Sequence, residues 1–165
     1  MRKTLLINVK AKENGIGINA VKLAEAAKKF SGQGVEIILA VQPSDIRSVS
    51  ETIKTYSQHI DPIKYGSHTG WILPEAVKQA GASGTLLNHS EHRIDIETLK
   101  LSIERAREAG LASVACAPSI EEADKIARLS PDFIAFEDPE LIGCLLYTSD
   151  AADEGLGVDL GGRRI

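Results

Sequence analysis

Residues 79–87 read "QAGASGTLL" and residues 108–116 read "EAGLASVAC". Each phrase ends a helix-like stretch on a glycine, then enters a short run suited to burial. Working outward, "PEAVKQAG" (74–81) opens on a proline, which a first helical turn tolerates, and stops on a glycine, which ends one. "DIETLKLSIERAREA" (95–109) places Ile96, Leu99, Ile103 and Ala106 along one face, with Asp95 as its cap and Gly110 closing it. The same alternation runs along most of the chain. Strand-like segments are expected at 4–8, 35–41, 55–60, 84–88, 111–117 and 132–137. Helices are expected at 19–30 (capped by Asn19), 43–53, 74–81, 95–109 and 119–129. Apolar strands joined by amphipathic helices form a parallel sheet covered on both faces. Periodicity alone does not choose between an open doubly wound sheet and part of a (β/α)8 barrel.

The totals narrow the function. The chain has 165 residues, 43% of them apolar, which is one ordinary core. Its 19 Lys and Arg stand against 23 Asp and Glu, a formal charge of -4. That balance, with no basic stripe interleaved with aromatics, argues against a nucleic-acid partner. No apolar run approaches the length of a membrane span, and the start "MRKTLLINVK" lacks the long apolar segment of a secretory signal, so no membrane partner is expected. Two cysteines, Cys116 and Cys144, fit neither a disulfide framework nor a metal spacing, which points to a reducing cytoplasm.

Polar residues gather where the strand-like runs end. In both candidate architectures the functional face lies at the carboxyl ends of the strands. Asn8 and Lys10 end the first run, His59 and Asp61 follow the third, and Asn88, His89, Ser90 and Glu91 follow the fourth. Cys116 closes the fifth and Glu137 ends the sixth. His89 precedes a stretch that reads as a helical turn, whose N–H groups and dipole would favour a neutral imidazole able to polarise a carbonyl. The alternative from spacing alone is a strand-end histidine satisfied by local backbone. Glu137 is a candidate general base, with partial burial raising its pKa, or else a loop carboxylate. Lys10 offers charge to a phosphate or oxyanion, or is a surface lysine. Cys116 fits a small buried hydrophobe better than a nucleophile. The His59, Asp61, His68, Glu91 and His92 set has no metal-ligand spacing, so no metal is expected.

Three blocks carry a resemblance: "INVK" (7–10), "QHIDPIKYGSHTGWILPEAVKQAGASGTLLNHSEHR" (58–93) and "FEDPELIG" (136–143). They resemble the triosephosphate isomerases, in their shorter archaeal-type branch, over residues 1–143. The resemblance implies an α/β fold, a partial (β/α)8 barrel of about six of the eight βα units. It implies interconversion of dihydroxyacetone phosphate and glyceraldehyde 3-phosphate through an enediolate, with triose phosphate as substrate and no cofactor. This family is also a standard example of pKa tuning and loop gating. Glu137 would move the proton, His89 would be the neutral electrophile, and Lys10 would hold the phosphate and oxyanion with Asn8 donating beside it. Glu91 would support Lys10. The loop "YGSHTG" (65–70) resembles the segment that enters a neighbouring subunit, with His68 and Thr69 at the interface, which implies a homodimer or homotetramer. Asp138 stands where the family commonly has proline.

From residue 144 the resemblance stops. "CLLYTSDAADEGLGVDLGGRRI" (144–165) has no strand–helix rhythm and resembles translated sequencing-adapter read-through, so a foreign or disordered tail is expected there. A barrel short of two βα units exposes strand edges, and little isomerase activity is expected of the chain as written. Two other readings are an inactive half-barrel serving as an interaction module and a different phosphosugar-handling barrel enzyme.

Overall fold

The computed structural model describes residues 3–32 and 34–137. The expected tail at 144–165 and the Asp138 position lie outside them. Within them six strands alternate with five α-helices: β1 (Lys3–Asn8), α1 (Gly17–Lys28), β2 (Val35–Val41), α2 (Ile46–Ser50), β3 (Lys54–Ser57), α3 (Pro74–Gln79), β4 (Gly84–Leu87), α4 (Ile96–Glu108), β5 (Ala112–Ala117), α5 (Ile120–Ala127) and β6 (Phe133–Phe136). All six strands are parallel and lie in chain order, β1-β2-β3-β4-β5-β6. A doubly wound sheet reverses its order at a switch point. This one winds in a single direction, as consecutive strands of a barrel do.

The sheet carries a different apolar set on each face. Along β2, Ile37, Leu39 and Val41 join the outer cluster under the helices, with Val49, Val77, Leu99, Ile103 and Ile126. Ile38 and Ala40, one residue out of step, join an inner cluster with Tyr56, Leu86 and Val114. The two-residue period of a strand makes this division, and burial on both sides explains why β2 reads as an unbroken apolar run. Small residues let the rows close up. A Cβ on Gly84 would lie 2.4 Å from the Tyr56 ring and 2.7 Å from the Ala112 carbonyl, its register partners on either side.

Several boundaries differ from expectation for identifiable reasons. Asn19 does not cap the first helix, which begins at Gly17; its first N–H donates to Asp45 Oδ2 at 3.1 Å, a carboxylate 28 residues away. The Asn19 amide instead donates to the Glu13 carbonyl. The 43–53 segment opens as a 3₁₀ turn over Pro43–Asp45, and its α-helix ends at Ser50. β3 stops at Ser57 rather than residue 60, where the Gln58 amide reaches the Ala40 carbonyl at 3.2 Å. Asp95 and Ser119 cap α4 and α5 by accepting from the N–H groups of Thr98 and Glu122. Buried Arg105 on α4 donates to the Ile63 carbonyl at 2.9 Å and pairs with Glu75 on α3, tying two helices to the loop after β3. No helix among the described residues is long and apolar enough to cross a membrane.

Candidate active site

Because every strand points the same way, the sheet delivers its carboxyl ends to one rim, and all six of these ends supply the cluster and its supports. β1 ends at Asn8, and the chain then makes a tight turn in which Lys10 adopts a left-handed conformation, φ 56°. A non-glycine residue there costs about 1 kcal/mol, so surrounding bonds must hold it. Two do. The Lys10 N–H donates to Asn8 Oδ1 at 3.0 Å, and the Lys10 carbonyl accepts from Gln58 Nε2 at 3.0 Å. Gln58 also reaches Asn8 Oδ1 at 3.2 Å, and its Oε1 accepts from Gln42 at 2.8 Å. Oδ1 of Asn8 is thus engaged twice. Lys10 Nζ pairs with Glu91 Oε1 at 2.9 Å.

β4 hands over to the second half of the site through Asn88, also left-handed at φ 57°. His89 follows, and its Nδ1 accepts the Glu91 N–H at 3.1 Å. A nitrogen that accepts must carry a lone pair, so the ring proton sits on Nε2. Nε2 lies 3.0 Å from Glu137 Oε1 at the end of β6. Residues 89–92 form a turn closed by the His92 N–H on the His89 carbonyl, and α4 does not begin until Ile96, so the expected helical turn is a single tight turn and not the start of a helix.

Glu137 corrects a second expectation. Burial pushes its carboxyl up, as the sequence implied. The His89 hydrogen bond, the Ser90 N–H donating to Oε2 at 2.9 Å and the Cys116 thiol outweigh that, and the carboxyl lies below its ordinary range. Cys116 in turn is pushed up, by burial first and then by the Glu137 charge. It remains a thiol and supports the carboxylate. It is the free buried cysteine beneath the site, with no nucleophilic partner.

A cavity of about 230 Å3 lies over these groups, with Asn8, Lys10, Gln58, His59, His89 and Glu91 on its wall. That is smaller than the ~300 Å3 at which pockets begin to take drug-sized ligands. The structure thus brings Asn8, Lys10, His89 and Glu91 to the wall of one small space, with Glu137 joined to it through His89. His68 and Thr69 are not part of this gathering. They sit in an exposed loop after β3, where His68 packs edge-on against Trp71 at 6.4 Å. Sequence reasoning missed Gln58, whose role arises where three strand ends meet and leaves no local signal. It also missed the stacking of His59 on His92, with ring centroids 4.3 Å apart. Burial, with the charge of His92 alongside, pushes His59 down against the pull of Asp61.

The arrangement sets an imidazole N–H against a carboxylate, with an ammonium held by Glu91 on the wall of the same cavity as the imidazole. Such a set can remove a proton next to a carbonyl while donating to its oxygen. Comparison with known proteins agrees in family. The family model described as triosephosphate isomerase matches residues 3–152. The triosephosphate isomerase of Methanothermus fervidus is 41% identical over 156 residues, 93% of this chain and 70% of that protein. That of Sulfurisphaera tokodaii is 44% identical over 142 residues, covering 84% and 62%, and that of Methanocaldococcus jannaschii 40% identical over 153, covering 91% and 70%. The chain therefore spans roughly two thirds of the length of these relatives. In fold it is similar to the crystal structure of triosephosphate isomerase from Bartonella henselae, with a TM-score of 0.65 at 23% identity over 82% of this chain and 68% of that one. With six parallel strands in barrel order and this match along its length, the chain belongs to the triosephosphate isomerase family.

Proposed function

We propose that the cluster at the strand ends interconverts dihydroxyacetone phosphate and glyceraldehyde 3-phosphate by proton transfer through an enediolate. The observation that carries this reading is the His89 Nε2–Glu137 Oε1 contact of 3.0 Å, with the imidazole proton fixed on Nε2. Acid and base here are hydrogen-bonded to each other, so a substrate carbonyl that displaces this contact would meet both. Glu137 takes the proton from the carbon beside the carbonyl and returns it to the neighbouring carbon. His89 donates to the oxygen that gains charge. Lys10, with Asn8 beside it, offsets the charge of the phosphate and the oxyanion, and Glu91 keeps the ammonium aimed at the cavity. The chemistry uses side chains and the substrate's own carbonyl, with no cofactor.

Two free edges bear on rate. Among the described residues β1 and β6 pair on one side only, and both carry site residues at their ends. A catalytic group displaced by about 1 Å costs on the order of 100-fold in rate, so turnover is expected to depend on how firmly these two edge strands are held. The test follows deuterium entering dihydroxyacetone phosphate in heavy water, which reads the base even when net turnover is slow. Exchange catalysed by the chain and abolished by Glu137→Gln is the expected result. Absence of exchange, or exchange indifferent to Glu137→Gln, would overturn the reading.

The loop after β3 supports a further part of this reading, pairing with a second copy. Tyr65 and Trp71 are 70% and 56% exposed at its base, and His68 and Thr69 stand exposed between them. A large aromatic at each end of a glycine-flanked tip is a surface made to be covered. A homodimer or homotetramer working in the cytoplasm fits this surface and the cysteine usage.

A further inference from the structure

The loop from Asn88 to Ile94 holds His89 and Glu91, and its packing contacts lie at its far end, where His92 stacks on His59 and Ile94 meets the outer cluster. One side faces the 230 Å3 cavity, and a second cavity of about 520 Å3 opens at Asn88, Arg93 and Ile94 against α4 and α5. Something other than close packing must set the position of the imidazole. Asn88 has the bonds to do so. It is 5% exposed and left-handed, and its side chain is used at both ends. Nδ2 donates to the Cys116 carbonyl on β5 at 3.0 Å, and Oδ1 accepts the Ile94 N–H at 3.2 Å. Its own carbonyl accepts from Arg93 at 3.1 Å, and the other Arg93 nitrogen lies 3.9 Å from Glu137 Oε2.

These contacts close the loop on itself. The Oδ1–Ile94 bond joins its first residue to its last across six positions, and the Nδ2–Cys116 bond pins that junction to the strand whose thiol supports Glu137. The left-handed turn then sends the chain sharply away from β4, which places the His89 ring over the cavity. We propose that Asn88 is the positioning residue for His89, acting through its left-handed backbone and its two-ended clamp rather than by touching substrate. It rests on the isomerase reading for its catalytic meaning, although the geometry it controls can be read without substrate. Asparagine suits both tasks, since it tolerates positive φ better than other side chains and carries a donor and an acceptor on one short amide.

Three variants of the full chain separate backbone from clamp. Asn88→Gly keeps the left-handed turn and removes the clamp. Asn88→Asp keeps Oδ1 and tolerates the turn, but presents oxygen to the Cys116 carbonyl. Asn88→Ala loses both. Nitrogen NMR of histidine-labelled protein reports which ring nitrogen of His89 is protonated. The unsubstituted chain is expected to show Nε2–H alone, and Asn88→Gly a mixture of tautomers, with exchange of the Glu91 amide faster by about 10-fold or more. Deuterium incorporation into dihydroxyacetone phosphate is expected to slow by about 10- to 100-fold with a smaller change in KM. A single tautomer and unchanged amide protection in Asn88→Gly would overturn the proposal. If that variant does not fold, the same spectra on Asn88→Asp decide. Loss of exchange chemistry in the unsubstituted chain with the tautomer pattern intact would instead count against the isomerase reading.

Discussion

At Glu137 two opposing influences meet, and their balance sets how the protein responds to acid. Burial favours the neutral acid, while His89, the Ser90 N–H and Cys116 favour the carboxylate, and together they hold its pKa below the ordinary range. An unfolded glutamate titrates near about 4.3. Because the folded value is lower, Glu137 stabilises the fold fully above the unfolded pKa and loses that contribution as pH falls through the folded one. Urea unfolding at neutral pH and at successively lower pH should therefore show part of the acid sensitivity disappearing in Glu137→Gln. Equal acid sensitivity in the two proteins would mean that the His89 contact does not persist in solution. Sequence placed this carboxylate correctly at a strand end but gave the shift the wrong sign. Burial could be read from the apolar run before it, whereas its donors come from His89 and Ser90, in the turn after β4, and Cys116 on β5, all distant in sequence.

At the scale of elements, Gly84 shows what periodicity cannot see. It begins β4 between Tyr56 on β3 and Ala112 on β5, and an added methyl would meet the tyrosine ring on one side and a carbonyl oxygen on the other. The ring is buried and the carbonyl is backbone, so neither gives way easily. Gly84→Ala is expected to destabilise the protein by about 1–3 kcal/mol, the usual range for forcing extra volume into a packed core. In a Tyr56→Ala background the same change should cost less, because one of the two obstacles is gone. Additive effects in that double-mutant cycle would show that the ring is not what excludes a side chain. In the sequence Gly84 reads only as punctuation before a strand. The strands and most helices were legible because each carries its own period. The cap of α1 was not, since Asp45 reaches Gly17 from the following βα unit. Gln58 was equally hidden, because its partners Asn8, Lys10, Ala40 and Gln42 come from two other strand ends.

For the whole molecule, two kinds of unpaired surface predict two kinds of association. The loop carrying His68 and Thr69 is a compact tip with aromatic flanks, and contacts through such a patch close into a finite assembly when the same patch meets itself or its complement across a symmetry axis. The free edges of β1 and β6 differ. Leu5 on the first is 49% exposed and Phe136 on the second 38%, both on the face that helices cover elsewhere in the sheet. One edge offers itself to the other of the next molecule, and that head-to-tail pairing need not close. Sedimentation of the 165-residue chain at rising concentration should then show a discrete species together with material that keeps growing. Leu5→Lys with Phe136→Lys places charge on both edges, and should remove the growth while leaving the discrete species. Trp71→Ser should do the reverse. A single monomeric species at every concentration, unfolding cooperatively, would overturn both expectations and favour a self-contained half-barrel. Growth that survives the edge lysines would place the contact on some other surface, with the exposed Ile18 and Phe30 of the α1 region as the next to test.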